Sequence, residues 1–372
     1  MNILVLTTRN IYGNSGEKTL MLAKDKELKK YNYDLFYYSF RRKFDNDDKS
    51  FNIIKKDKMF DLIYRRKNIY KNIQKLIEDN QIDIIVISGN WLLFLYSELK
   101  EIKEKYNIKI SYDYQGAIEE VQEYKLFKNN SILSNILYQV LKYYENKFLD
   151  VIDGIETVSN NALEHLKYKY AKSEKYKSVL VHCGIEYPIS YDNWKEYRKI
   201  YRKKYMLKDS DVAYVYAGGI LPWQNIDQII DVAVKDKNII LYIYTSVKNQ
   251  NILKSKYNLT NNIKFDFLSH EELQHALCAF DYGLLLRNND ITNYVAFPNK
   301  YSDYINARLK VLVKNTNIGY YPIDKKRQEV IIKLQDRLTF SNKLDNSIYD
   351  DYIYSLQYNV MIKQLIIYYE EL

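Results

Sequence analysis

Glycine and proline are scarce in this chain, ten and four in 372 residues, with glycine below half of the roughly 7% usual in proteins. That excludes collagen-like and Pro/Gly low-complexity sequence, and makes each retained glycine a candidate for a position that needs one. Two cysteines, Cys183 and Cys278, are too few for a disulfide framework and lack metal-ligand spacing; both are expected as reduced thiols in a cytosolic protein. Four histidines without H-x-H or H-x-x-x-H pairing argue against a zinc site. No uncharged apolar run reaches 18 residues, so no membrane-spanning helix is expected. The opening MNILVLTTRN has no basic n-region and no long apolar stretch ending in a small-residue cleavage site. It reads as a buried strand, not a signal peptide.

What is present is core material in repeated order. The chain is 47% hydrophobic and 28% charged, enough to bury a core and outside the disordered range. Its length suits two domains of roughly 150–200 residues. Strand-like runs rich in Ile, Val, Leu and Tyr fall at 2–7, 33–39, 83–88, 109–114, 154–158 and 178–182. Helix-length segments separate most of them, at 17–30, 66–79, 91–106 and 160–170. The pattern restarts with strands near 212–217, 238–244, 263–268, 282–286 and 310–313, and helices near 224–233, 270–279 and 299–306. Such alternation predicts an α/β protein with parallel sheets covered on both faces. The stretch 184–194, with Pro188 and no clear period, is the candidate linker. The expected division is 1–186, 187–348 and a final amphipathic helix over 349–372.

Seven of the ten glycines, Gly13, Gly16, Gly89, Gly116, Gly184, Gly218 and Gly219, follow expected strands. Ligands of open α/β sheets bind in the crevice outside those strand ends, where glycine allows close backbone approach; plain turn geometry explains any single one as well. The most telling stretch is DYGLLLRNNDITNYVAFPNKYSDYI, Asp281 to Ile305. Its apolar run reads as a buried strand ending at Arg287, and PNKYSDYI as a helix start with Pro298 near the first turn, where its missing N–H costs nothing. Lys300 in that first turn opposes the helix dipole and is unfavourable unless an anion compensates. Arg287, Lys300 and the helix N-terminus together predict an anion site of diphosphate size; a solvated surface turn is the alternative.

This stretch resembles the donor-site signature of bacterial GT-B glycosyltransferases of the retaining, family-four type: a strand ending in Arg, an Asn-x-Val-Ala-x-Pro-x-Lys run, and an acidic–Tyr pair leading into a helix. SYDYQGAIEEVQEY (Ser111–Tyr124), IETVSNNALEHLKYKY (Ile155–Tyr170), VHCGI and YAGGILPWQNIDQII resemble further segments of that family in matching order. The resemblance implies two Rossmann-like domains facing a cleft, an acceptor-side one first and a nucleotide-sugar one second, with the last helix crossing back to the first. It implies that Arg287 and Lys300 hold the diphosphate, with Asn293, Pro298 and Asn299 in the same run, and that Asp303 takes the ribose hydroxyls. Gly218 and Gly219, and Gly13 and Gly16, would let backbone approach the donor. Gln115 would sit near the transferred sugar, with Asp113, Glu119 and Glu120 on the acceptor side. The family often carries an Arg and a Lys after the first donor-domain glycine; here Gly218–Asn225 has neither. Asp303 stands for the usual Glu, Gln115 for a His, and Arg308 for a Gly.

The expected activity is hexosyl transfer from a nucleotide-diphosphate sugar to a glycan or lipid-diphosphate-linked acceptor in bacterial surface-polysaccharide synthesis, such as capsule or O-antigen. Retention of anomeric configuration rests on the likeness alone. No cofactor or metal is expected: no Asp-x-Asp stands at a strand end, and fixed cations would stabilise the leaving diphosphate instead. The alternative is a catalytically degenerate GT-B-like protein that scaffolds a partner glycosyltransferase; self-association is equally open. The net charge is +9, and Arg41 to Lys67 holds ten Lys/Arg against five Asp. With interleaved Phe, Ile and Met it could lie on an anionic membrane at the inner face, or be a solvated loop. No nucleic-acid module is present, and no nucleic-acid partner is expected.

Overall fold

The computed structural model describes residues 1–9, 11, 16–41, 50–124, 131–172, 176–336 and 346–372. It divides into two compact units. Unit 1 comprises Met1–Cys183, Tyr294–Ala296 and Tyr358–Leu372, and unit 2 comprises Gly184–Asn293 and Phe297–Gln357.

Unit 1 is built on seven parallel strands: β1 (Asn2–Thr7), β2 (Asp34–Arg41), β3 (Ile53–Lys58), β4 (Ile84–Ser88), β5 (Lys109–Tyr114), β6 (Gly154–Thr157) and β7 (Lys177–Leu180). Their order is β3-β2-β1-β4-β5-β6-β7, with Ile3 beside both Leu35 and Ile84. β4, IIVIS, is buried along its whole length, as expected where helices cover both faces of a parallel sheet. β3, IIKKDK, is only half-buried, and its charges blunt an open sheet edge. The sequence reading missed β3 because those charges hide its alternation.

Unit 2 repeats the plan with six parallel strands: β8 (Ala213–Ala217), β9 (Ile240–Tyr244), β10 (Ile263–Asp266), β11 (Tyr282–Leu285), β12 (Lys310–Val313) and β13 (Ile331–Lys333). Their order is β10-β9-β8-β11-β12-β13. In each sheet the order reverses beside the first strand, between β1 and β4 and between β8 and β11. A ligand crevice opens at such a switch point.

Several elements differ from expectation. The segment 91–106 is a 3₁₀ turn, Asn90–Leu95, followed by a helix, Tyr96–Tyr106; Leu92, Leu93, Phe94 and Leu95 are all buried, so the tight turn keeps four consecutive apolar side chains from water. Helices Ser131–Phe148, Tyr191–Lys204 and Val247–Lys256 went unrecognised. The second begins inside the expected linker, where the Ser190 hydroxyl caps it by accepting from Asn193 N–H.

The last segment is not one helix. Asn346–Ser355 buries Ile348, Tyr349, Tyr352 and Ile353 in unit 2. Tyr358–Glu371 packs in unit 1 against the helix Gly16–Lys29 and β7. At the break Ile185 N–H donates to the Leu356 carbonyl at 2.8 Å, and Ile185 bridges Gln357. Among the described residues no helix is long and apolar enough to cross a membrane.

Candidate functional site

The site in unit 2 forms where β8 and β11 end side by side. The helix Asn299–Asn306 lies over this point because β11 has a glycine at its second residue. A Cβ on Gly283 would come within 2.3 Å of the Tyr304 ring, so the missing side chain seats that ring against the strand. The Tyr304 hydroxyl then accepts the Ala217 N–H at 3.1 Å, fixing the helix to the end of β8. Pro298 is the residue just before the helix, in extended conformation, beside the first turn as the sequence suggested. No side chain caps the first turn, which holds no acidic residue.

Two cations meet here. Arg287 follows β11 and is 6% exposed; Lys300, in the first turn of the helix, is 8% exposed. Arg287 Nη1 donates to Asn293 Oδ1 at 3.2 Å, while its Nε is buried without a hydrogen-bond partner. Asn293, fully buried, is held in turn by Asp290, which accepts from its N–H at 2.8 Å and its Nδ2 at 3.1 Å. Lys300 Nζ donates to Gln224 Oε1 and lies 5.0 Å above the Tyr216 ring. Burial and the neighbouring Arg287 charge push the Lys300 ammonium well below the ordinary lysine range, with Asp303 pulling weakly the other way. Among the described residues neither cation has a carboxylate within ion-pair distance. Two nearly buried like charges so placed are costly; an anion of matching size would relieve both.

The backbone beside them is open. Gly218 has φ +147°, and a Cβ there would stand 2.6 Å from Lys300 Cε; only glycine tolerates both. At Gly219 a Cβ would meet nothing within 4 Å, and its carbonyl accepts from Tyr216 Oη at 2.6 Å. Asn225, with positive φ of 52°, donates from Nδ2 to the Leu286 carbonyl at 2.7 Å, tying the loop after β8 to the end of β11. Asn299 Oδ1 is buried without a partner. Asp303 sits one turn on, accepting from Gln274 Nε2 at 2.7 Å, with His270 Nε2 at 3.9 Å; burial raises its carboxyl despite both and Lys300.

The structure therefore gathers Arg287, Lys300, Gly218, Gly219, Asn293, Pro298, Asn299 and Asp303 about the neighbouring ends of β8 and β11. Tyr216, Gln224, Asn225 and Tyr304 belong there too and went unnoticed in the sequence. Gln224 and Asn225 stood in the run read only for the Arg and Lys it lacks; a polar pair just past two glycines was the available signal.

The remaining candidates lie in unit 1. Gly13 lies outside the described residues, and Gly16 begins the helix Gly16–Lys29. Asp113 is buried, 3.2 Å from Lys24 Nζ, and accepts from Ser88 Oγ at 2.7 Å and Gln115 Nε2 at 2.6 Å. Lys24 also reaches Glu156 at 2.8 Å; burial opposes its charge, but the two carboxylates outweigh this and push its pKa up. Glu119 is buried between Lys169 Nζ at 2.8 Å and His165 Nε2 at 3.3 Å. Burial alone would raise its carboxyl, yet His165 and Lys169 bring it down to about 2. Glu120 is exposed at the start of the short helix Glu120–Glu123.

Neither a protein-family model nor a curated protein matches the chain. Solved structures do. Sucrose-phosphate synthase from Thermosynechococcus elongatus superposes with a TM-score of 0.69 at 10% identity, over 100% of this chain and 98% of that one. A glycosyltransferase from Rickettsia africae gives 0.64 at 14% identity, over 100% and 98%. HepE from Anabaena, solved in complex with UDP, gives 0.60 at 10% identity, over 98% and 93%. Together with two parallel Rossmann-ordered sheets, these likenesses show that the chain has the GT-B fold of glycosyltransferases.

Proposed function

We infer that this protein is a glycosyltransferase whose unit 2 binds a nucleotide-diphosphate sugar. The observation that carries the reading is the pair of nearly buried cations, Arg287 and Lys300, which among the described residues have no carboxylate partner, at a helix start that its N-cap residue does not cap. Breaking the anomeric C–O bond leaves extra negative charge on the departing diphosphate. Fixed cations and N–H dipoles stabilise that charge more in the transition state than in the bound substrate, and so accelerate transfer. Gly218 and Gly219 let backbone approach the phosphates, Asn293 orients Arg287, and Asp303 binds the ribose. Gln115 and Asp113 serve the transferred sugar and acceptor, with Glu119 and Glu120 on the same segment. The reaction needs no metal in this reading, because side chains take the ion's place.

The donor class draws support from HepE, solved with UDP, and from the α-glucosyltransferase solved with UDP and DNA. Hexosyl transfer with retention, to a glycan or a lipid-diphosphate-linked acceptor in surface-polysaccharide synthesis, is the finer form of the proposal. WaaG, a neighbour at 13% identity, is described as acting in lipopolysaccharide biosynthesis. The protein would then work in the cytoplasm, peripherally on the membrane. A second reading is favoured by one observation: Gly218–Asn225 holds no cation, and Lys300 is occupied by Gln224. That suits a non-catalytic GT-B protein that binds nucleotide sugar and scaffolds a partner transferase or a second copy. A thermal-shift panel of uridine, guanosine, adenosine and cytidine nucleotides tests the site. One family should stabilise the protein, and Arg287→Ala should abolish the shift; no response to any would reject the donor site. Turnover of the stabilising donor then separates enzyme from scaffold.

A further inference from the structure

We propose that Gln224 is a displaceable stand-in for the ligand: its side-chain carbonyl holds Lys300 in the empty site and yields the lysine to a diphosphate oxygen. This rests on the donor-site reading above and adds a control on it. The contact that favours a non-catalytic protein there becomes a latch that sets how tightly the donor is held.

Lysine donates hydrogen bonds and accepts none, so it is the amide oxygen of Gln224 that faces Lys300 Nζ. Among the described residues this is the one hydrogen bond that the lysine side chain makes. Lys300 is 8% exposed, and a buried donor left without an acceptor is costly. The amide therefore does for the empty site what an anion does for a filled one. A cation at position 224 would instead add a third positive charge beside Arg287 and Lys300; the run Gly218–Asn225 contains none.

The amide is held in place by little else. Tyr216 Oη lies 3.2 Å from the same oxygen, but a phenol has one proton to give, and the Gly219 carbonyl at 2.6 Å is the nearer acceptor. Gln224 closes a single 3₁₀ turn, Pro222–Gln224, in which its N–H donates to the Leu221 carbonyl at 2.8 Å. The chain is pinned on both sides of that turn. Gly218 N–H donates to the Tyr244 carbonyl at 2.9 Å, and Asn225 Nδ2 to the Leu286 carbonyl at 2.7 Å. The side chain is thus free to swing while the loop stays seated.

The exchange runs in the ligand's favour. A hydrogen bond to an ionised oxygen is roughly twice as strong as one to a neutral amide. Arg287 Nε, buried without a hydrogen-bond partner, adds a donor that the amide leaves unused.

Calorimetric titration with inorganic pyrophosphate and with UDP, GDP, ADP and CDP, paired with melting of the free protein, tests the latch. Gln224→Met keeps the length of the side chain and removes its oxygen. The free variant should melt below wild type, because Lys300 loses its acceptor, while Kd for pyrophosphate and for the preferred nucleotide falls about tenfold. Gln224→Glu sets a carboxylate at the same place and should do the reverse, melting higher and binding about tenfold more weakly. A side chain that merely shaped the loop would not shift Kd in opposite directions in the two variants. A Kd that Gln224→Met leaves unchanged or raises overturns the proposal, as does Gln224→Glu binding as tightly as wild type. If wild type binds and Arg287→Ala does not, yet Gln224→Met leaves Kd unchanged, the latch falls and the donor site stands. If neither wild type nor either variant binds any of these compounds, both fall.

Discussion

Lys300 is the residue whose chemistry decides most. Buried beside Arg287, its ammonium is held well below the ordinary lysine range. Between that lowered value and the ordinary one the free protein carries it neutral. A bound diphosphate would favour the charged form and raise its pKa again. Binding should therefore take up protons in that window and weaken as pH rises. Calorimetry in buffers of different ionisation enthalpy, at pH 8 to 9, should show fractional proton uptake that Lys300→Met removes; uptake unchanged in the variant would place the proton elsewhere. The sequence showed this lysine well. It stands in a helix's first turn, against the dipole, two places after a proline, and those are local facts. Its partner Gln224 offered only its place in a polar pair after two glycines, because no periodicity tells which loop residue will turn toward a cation 76 positions on.

At the scale of elements, the helix Asn160–Tyr170 shows how polar burial fixes a segment. The Ser159 hydroxyl accepts from Ala162 N–H at 3.0 Å and donates to the Val295 carbonyl at 2.7 Å. One turn and two turns later, His165 and Lys169 hold Glu119. Because Glu119 titrates near 2 in the folded protein rather than at 4.5, its contribution is present above pH 4.5 and lost as pH falls toward 2, on the order of 2–3 kcal/mol in all. Glu119→Gln should thus destabilise unit 1 by roughly 1–3 kcal/mol at pH 7. The gap from wild type should close as pH falls through that range, as urea melts at pH 7, 4 and 2.5 would show. This helix and Asn299–Asn306 were readable to the residue, since a serine cap and a proline mark their starts. Tyr191–Lys204 was not: fewer than half its residues are apolar, and Arg202 is buried, donating to the Ala279 carbonyl at 3.0 Å and pairing with Asp281 at 3.5 Å. β13 is three residues long, too short for any pattern to show.

For the molecule as a whole, strand–helix alternation made two parallel sheets legible, while the path of the C-terminus depended on contacts far apart in sequence. Ile362 and Leu365 are fully buried, and Tyr368 and Tyr369 nearly so. The Tyr369 hydroxyl donates to Glu156 at 2.7 Å, and that of Tyr368 pairs with Ser111 at 2.7 Å. Burying one large apolar side chain contributes roughly 1.5–3 kcal/mol, against a total stability of about 5–15 kcal/mol for a domain. Deleting 358–372 should therefore leave unit 1 unfolded, with unit 2 still melting cooperatively. Limited proteolysis with mass spectrometry should then recover a resistant fragment close to 184–357; equal resistance of both units would refute the assignment of that helix.

The bridge from Ile185 to Gln357 sets the two connecting strands of the chain side by side. Topologically, unit 2 is a guest spliced into a host whose own polypeptide stops at Cys183 and resumes at Tyr358. Excising the guest would require only a few residues of spacer to rejoin the host. What the host would lose is the short excursion at Tyr294–Ala296, and with it the carbonyl that greets Ser159.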